Sequence, residues 1–163
     1  MKKVRILLYN QVGQYPDEAM EDGLHPDSLK KQLDYLLTHG YSVVSLEEAL
    51  ACIQGKKVLA ENSVALTIDG GYENAYTSVL PTLEEYGVEA AFFIPPALNG
   101  QKRVFHGHEI PCMGWEQVRS LAQRGMIISH SGAKRKWLHR IFYQIPNQTG
   151  SKPLCHRSHT DRR

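Results

Sequence analysis

Hydrophobic positions along the chain follow two alternating patterns. Short, nearly continuous apolar runs predict buried β-strands over residues 4–10, 41–46, 63–69, 89–94 and 126–131. Between these runs, apolar residues recur at helical spacing, which predicts helices from Pro26 to about His39 and over residues 46–54, 73–86 and 115–125. Residues 97–113 follow neither pattern and are predicted to form a loop.

Residues that typically begin or interrupt helices lie at or within these segments. Pro26 suits a first helical position, and Ser45 followed by Glu48 is the signature of a capping box. Pro81 lies inside the third predicted helix and predicts a kink or break there. The resulting order, strand and helix repeated four times and then a fifth strand, predicts an α/β fold. Its parallel sheet with covering helices is either open or closed as a barrel.

Parallel α/β folds place their chemistry at the carboxyl ends of their strands. Asp69 is the one carboxylate at the end of a predicted strand, and Gly70 and Gly71 follow it. An Asp in this place is a metal ligand, a general base or the N-cap of the next helix. His130, at the end of the fifth predicted strand, is its natural partner, and the alternative for His130 is a purely structural role.

The residues around Asp69 resemble a known family. TIDGG at 67–71 and AAFF at 90–93 are similar to the T-F-D-D-G motif and the A-T-F-F strand of the polysaccharide deacetylases, the NodB-homology fold of carbohydrate esterase family four. The opening strand at 7–12, the segment 29–50 and the segment 113–131 also resemble the family, in the right order. The resemblance covers about residues 5–131.

This resemblance implies a fold, a reaction and a site. The family fold is a distorted (β/α) barrel, so a partial barrel with about five parallel strands and covering helices is expected. Family members hydrolyse N-acetyl, and sometimes O-acetyl, groups on sugars, using a divalent metal, usually zinc, held by an Asp and two His. The resemblance makes Asp69 the general base, His130 a metal ligand, and an acetylated polysaccharide or oligosaccharide the partner.

Several positions depart from the family pattern. The second Asp of the first motif, a metal ligand in the family, is Gly70, and the second His of the next motif falls on Lys134. The histidine of the opening strand is Asn10, and the interval from Gly125 to His130 is one residue shorter than usual. Because catalytic zinc normally has three protein ligands, these departures favour a rival hypothesis, a non-catalytic carbohydrate-binding or vestigial domain without metal.

Other side chains offer a second donor set and contacts with a sugar. His106 and His108 lie two residues apart in the predicted loop, an interval at which two imidazoles can bind one ion. The alternative is a solvated polar loop. Tyr72 is a candidate contact for sugar hydroxyls, or simply a residue of the first helical turn. Trp115 either stacks on a sugar ring or anchors its helix in the core.

Charge divides the 163-residue chain into two parts. Residues 1–132 hold 11 Lys and Arg and 16 Asp and Glu, whereas residues 133–163 hold 8 Lys and Arg and one acid, Asp161. We expect residues 1–132 to be the N-terminal part of a deacetylase-like domain and residues 133–163 to be a basic tail. The tail is the out-of-frame product of a disrupted gene, an extension that binds anionic polymer or nucleic acid, or a divergent end of the fold.

Composition narrows the class of protein further. With 42% apolar and 22% charged residues, the chain is typical of a soluble globular domain. No run approaches the roughly 18 apolar residues of a membrane helix, and no export signal is recognisable. An odd number of cysteines without a CxxC pair argues against a disulfide framework and against a cysteine zinc site. The compartment stays open between cytoplasm and cell envelope, and nucleic acid is not the expected partner.

Overall fold

A parallel β-sheet lies at the centre of the molecule. The computed structural model describes residues 4–14, 23–105 and 107–130. The strands of the main sheet are β1 (Arg5–Tyr9), β4 (Ser42–Val43), β5 (Ser63–Asp69), β6 (Ala91–Ile94) and β9 (Ile127–His130). Their order is β1-β5-β6-β9, with β4 paired to the amino end of β5, and every pairing is parallel. The predicted α/β class and the five parallel strands are confirmed.

Two smaller sheets and four α-helices accompany the main sheet within the described ranges. The short strands β2 (Gln11–Val12) and β3 (Gly23–Leu24) pair in parallel, and β7 (Lys102–Phe105) pairs antiparallel with β8 (His108–Pro111). The helices are α1 (Pro26–Thr38), α2 (Leu46–Ile53), α3 (Leu80–Tyr86) and α4 (Trp115–Gln123). No helix within these ranges has both the length and the apolar character needed to cross a membrane.

The core fills both faces of the sheet because alternate residues of each strand point in opposite directions. Leu66 of β5 and Phe92 of β6 pack on one face with Leu29 of α1 and Leu83 of α3. The opposite face packs against α2, and the members of this second cluster are Ile6, Leu46, Ala49, Ala65, Ala91 and Phe93. This two-sided burial explains why the β5 sequence is nearly all apolar until Asp69.

The predicted helix starts are confirmed where a cap was recognised. Pro26 occupies the first turn of α1, and the backbone N–H of Glu48 donates to the Ser45 hydroxyl at 3.0 Å. The Glu48 carboxylate accepts the Ser45 backbone N–H in return at 3.3 Å, which completes the capping box of α2.

Two segments differ from the sequence prediction. The loop predicted over 97–113 is wrong, because it contains the β7–β8 hairpin, whose short strands carry too few apolar residues to stand out. The predicted helix over 73–86 exists, but Ala75–Val79 is π-helical and α3 begins only at Leu80. Pro81 has no N–H and its ring clashes with the carbonyl four residues before it, so a wider turn precedes it.

Candidate active site

Asp69 lies at the carboxyl end of the central strand of the sheet. It is the last residue of β5, it is partly exposed, and it pairs in register with Phe93 of β6. One carboxylate oxygen, Oδ1, accepts the backbone N–H of Gly70 at 2.8 Å. The six residues of β5 before Asp69 are buried, so Asp69 is the first residue of this strand whose side chain reaches the surface, at the carboxyl end of the sheet.

The turn after Asp69 has a conformation that only glycine adopts readily. Gly70 has φ +97° and Gly71 has φ +64°, both in the region that L side chains rarely enter. A Cβ atom on Gly70 would lie 2.3 Å from Cε2 of the Tyr72 ring, and one on Gly71 would lie 2.9 Å from Cδ of Pro95. The aromatic ring of Tyr72 therefore fills the space beside position 70.

Tyr72 is buried, with 3% of its surface exposed. A guanidinium nitrogen of Arg103, on β7, donates to the Tyr72 hydroxyl at 2.7 Å, and the guanidinium carbon lies 5.4 Å from the ring centroid. Burial raises the pKa of the Tyr72 phenol; the hydrogen bond with Gln11 and the charge of Arg103 oppose this rise, and the Asp69 carboxylate adds to it. The phenol is therefore uncharged at neutral pH.

The β7–β8 hairpin and the start of α4 are both fastened to the same turn. Tyr72 forms an isolated antiparallel bridge with Cys112, and the two side chains pack with Ile110. The backbone N–H of Met113 donates to the Gly71 carbonyl at 2.9 Å. The structure thus gathers around Asp69 residues that lie far from it in the sequence.

Trp115 begins α4 close to this turn. It is 49% exposed, so it does not lie in the core. Its side chain lines an open, mostly apolar cavity of about 270 Å³ at the carboxyl ends of β6 and β9. The cavity is lined by Ile94, Pro96, Trp115, Val118, Ile128 and Ser129.

The predicted metal ligands are only in part within the described structure. His130 is the last residue of β9, and its backbone pairs with Ile94, one register step beyond the level of Asp69. His108 begins β8 and is partly exposed, whereas His106 and Lys134 lie outside the described residues, as does the tail 133–163. Among the residues that are described, no three His, Cys, Asp or Glu side chains come together as a metal site would require.

Sequence reasoning missed Arg103. It reaches the Tyr72 hydroxyl from a hairpin that was predicted as a loop. A basic residue in a polar loop carries no local signal for such a contact. Gly107, which lies between two short segments, was the available hint of a hairpin turn.

A family model and a curated relative that match this chain both describe polysaccharide deacetylation. A family model described as polysaccharide deacetylase matches residues 56–159, on both sides of position 132. The poly-beta-1,6-N-acetyl-D-glucosamine N-deacetylase of Escherichia coli strain K12 is 30% identical over 124 residues, covering 68% of this chain. The match spans only 18% of that relative's length.

Solved structures with the same fold are also similar. A de-N-acetylase from Aggregatibacter actinomycetemcomitans has a TM-score of 0.63 and 25% identity, over 78% of this chain and 53% of its own. IcaB from Ammonifex degensii has a TM-score of 0.70 and 23% identity, over 80% of this chain and 53% of its own. The chain thus spans about half the length of these two structures.

Proposed function

Because this chain belongs to the polysaccharide deacetylase family, we propose that it removes acetyl groups from polysaccharides, N-acetylated sugars above all. The name of the E. coli relative supports a polymer of N-acetylglucosamine as the substrate class. The observation that carries the proposal is Asp69, a partly exposed carboxylate at the end of a buried central strand with one oxygen held by the Gly70 N–H.

In the proposed reaction, Asp69 acts as the general base. Its carboxylate accepts a proton from a water molecule whose oxygen adds to the acetyl carbon. The C–N bond then breaks, the sugar nitrogen takes up the proton that Asp69 accepted, and acetate and a free amino sugar leave. The N–H of Gly70 holds the carboxylate in one orientation, which the transfer requires because a base must lie within hydrogen-bond reach of the proton.

The family is generally metal-dependent, and when bound the metal would polarise the acetyl carbonyl. The described residues do not form a site that fits a metal ion, since Gly70 has no side chain and no three metal-binding side chains converge among them. His130 is the one metal contact that we propose, and a single imidazole holds zinc weakly compared with three protein ligands.

We expect zinc-loaded, dialysed protein to retain clearly less than one zinc ion per chain, because the ligand at position 70 is missing. Elemental analysis of the wild type, His130→Ala, His108→Ala and a His25→Ala control measures this. One tightly held zinc ion that is lost only in His130→Ala would contradict the expectation and make His130 a true ligand.

A second function, binding of carbohydrate without hydrolysis, is favoured by one observation: Gly70 replaces the family's metal-binding Asp. The two functions are separated by incubating the full chain with oligomers of β-1,6-linked N-acetylglucosamine in excess zinc and measuring free acetate. Acetate release above that of the buffer supports the deacetylase. Binding of the oligomer without any release supports the carbohydrate-binding domain.

We further propose that Trp115 contacts the sugar chain, because its half-exposed ring borders an open cavity at the same edge of the sheet. Stacking of a sugar ring on an indole adds affinity, so we expect Trp115→Ala to weaken oligomer binding about tenfold. Titration calorimetry measures this. Tyr35→Ala is the matched control, since Tyr35 is 55% exposed on α1. Equal affinities of the two variants would contradict the role of Trp115.

A further inference from the structure

We infer that Arg103 is a positioning residue for Asp69 and that it acts through the Tyr72 side chain. The inference rests on the proposed role of Asp69 as general base. The β7–β8 hairpin then has a function, because it holds Arg103 near the carboxyl end of β5.

The contacts form a short, continuous path. The Arg103 guanidinium donates to the Tyr72 hydroxyl at 2.7 Å and lies over the ring. The Tyr72 ring lies against the Cα of Gly70, so closely that a Cβ there would approach Cε2 to 2.3 Å. The N–H of Gly70 then donates to Oδ1 of Asp69 at 2.8 Å. Each step is a direct contact, and the last one holds the reacting carboxylate.

Such support is needed because the backbone of this turn has little conformational restraint of its own. Gly70 and Gly71 follow Asp69 directly, and two successive glycines have more backbone freedom than any other pair of residues. Without a neighbour, the Gly70 N–H would sample many directions, and the carboxylate with it. The ring of Tyr72 limits this freedom by closing one side of the turn.

Tyr72 can do this only if the ring itself is fixed. It is buried, it packs with Ile110 and Cys112, and its backbone bridges to Cys112. Its hydroxyl, the end of the side chain farthest from the backbone, is held by Arg103 and Gln11. A charge-assisted hydrogen bond from a planar guanidinium fixes this end more firmly than a neutral partner would.

The test compares Arg103→Gln and Tyr72→Phe with Lys102→Gln, which removes the neighbouring charge from the same strand. Lys102 pairs with Glu109 across the hairpin at 2.5 Å and belongs to none of these contacts. Tyr72→Phe keeps the ring and loses only the hydroxyl, so it remains informative if Arg103→Gln disturbs the hairpin. The main readout, solvent exchange of the Gly70 amide measured by NMR, does not depend on enzyme activity.

We expect both variants to speed exchange of the Gly70 amide about tenfold, since a charge-assisted hydrogen bond is lost, and Lys102→Gln to leave it unchanged. Where acetate release is measurable, kcat is expected to fall in the same two variants while KM stays constant. Unchanged exchange in both, or an equal rise in Lys102→Gln, overturns the inference. Faster exchange in the two variants from a chain that releases no acetate supports the positioning path and rejects only the deacetylase function.

Discussion

The Asp69→Asn variant is expected to lose acetate release by about 10²–10⁴-fold, the usual contribution of a general base. An amide at position 69 cannot accept the proton of the attacking water. Its oxygen can still accept the Gly70 N–H, because Asn and Asp have the same shape, so the turn should keep its conformation. The loss is therefore expected in kcat, with affinity for the N-acetylated oligomer nearly unchanged.

Two measurements together test this expectation. Acetate release is followed with oligomers of N-acetylglucosamine in excess zinc, and affinity is measured by calorimetry on the same preparations. Glu116→Gln is the control, because Glu116 is an exposed acid in the first turn of α4. If Asp69→Asn keeps more than a tenth of the wild-type rate, Asp69 is not the base. If it loses binding as strongly as release, its role is to hold the sugar.

The fold was predictable from local patterns because its core elements carry strong ones. β5 has four apolar residues among the six that precede Asp69, a pattern that located both the central strand and the carboxylate at its carboxyl end. Ser45 and Glu48 marked the start of α2 through side-chain contacts within one turn. In such elements the residues that determine the structure are close together in the sequence, so a pattern reveals them.

The surroundings of Asp69 were less predictable because their contacts join distant segments. Arg103 and Tyr72 are 31 positions apart, and their hydrogen bond exists only once the hairpin has folded against the sheet. The exposure of Trp115 likewise depends on what packs around the first turn of α4, whereas an isolated tryptophan in an amphipathic helix indicates burial as readily as binding. The Arg103–Tyr72 hydrogen bond and the exposure of Trp115 both depend on tertiary packing, so no pattern in the neighbouring sequence predicts them.

The second large effect concerns Gly70, and we expect Gly70→Ala to lower the free energy of unfolding by roughly 2–5 kcal/mol. A positive φ costs a residue with a Cβ about 1–2 kcal/mol. The added Cβ would also press on the buried Tyr72 ring, and overpacking typically costs about 1–3 kcal/mol more. Denaturant titration of the purified variant measures the loss.

Gly55→Ala separates the two contributions. Gly55 has φ +73°, and a Cβ there would meet nothing within 4 Å, so this variant carries the backbone cost alone and should lose about 1–2 kcal/mol. The excess in Gly70→Ala is then the contact with Tyr72. Equal losses in the two variants would mean that the ring yields easily and does not close the turn.

The same geometry limits what a single substitution can restore. Gly70→Asp returns the carboxylate that family members place here, but it introduces a Cβ against Tyr72 in a backbone conformation that Asp seldom adopts. We therefore expect Gly70→Asp to lose stability as Gly70→Ala does and to retain no more zinc than the wild type after dialysis. A stable Gly70→Asp variant that holds one zinc ion would show that the turn rearranges readily. Gly70 would then be the main obstacle to metal binding in this chain, and the Tyr72 ring would be free to move aside.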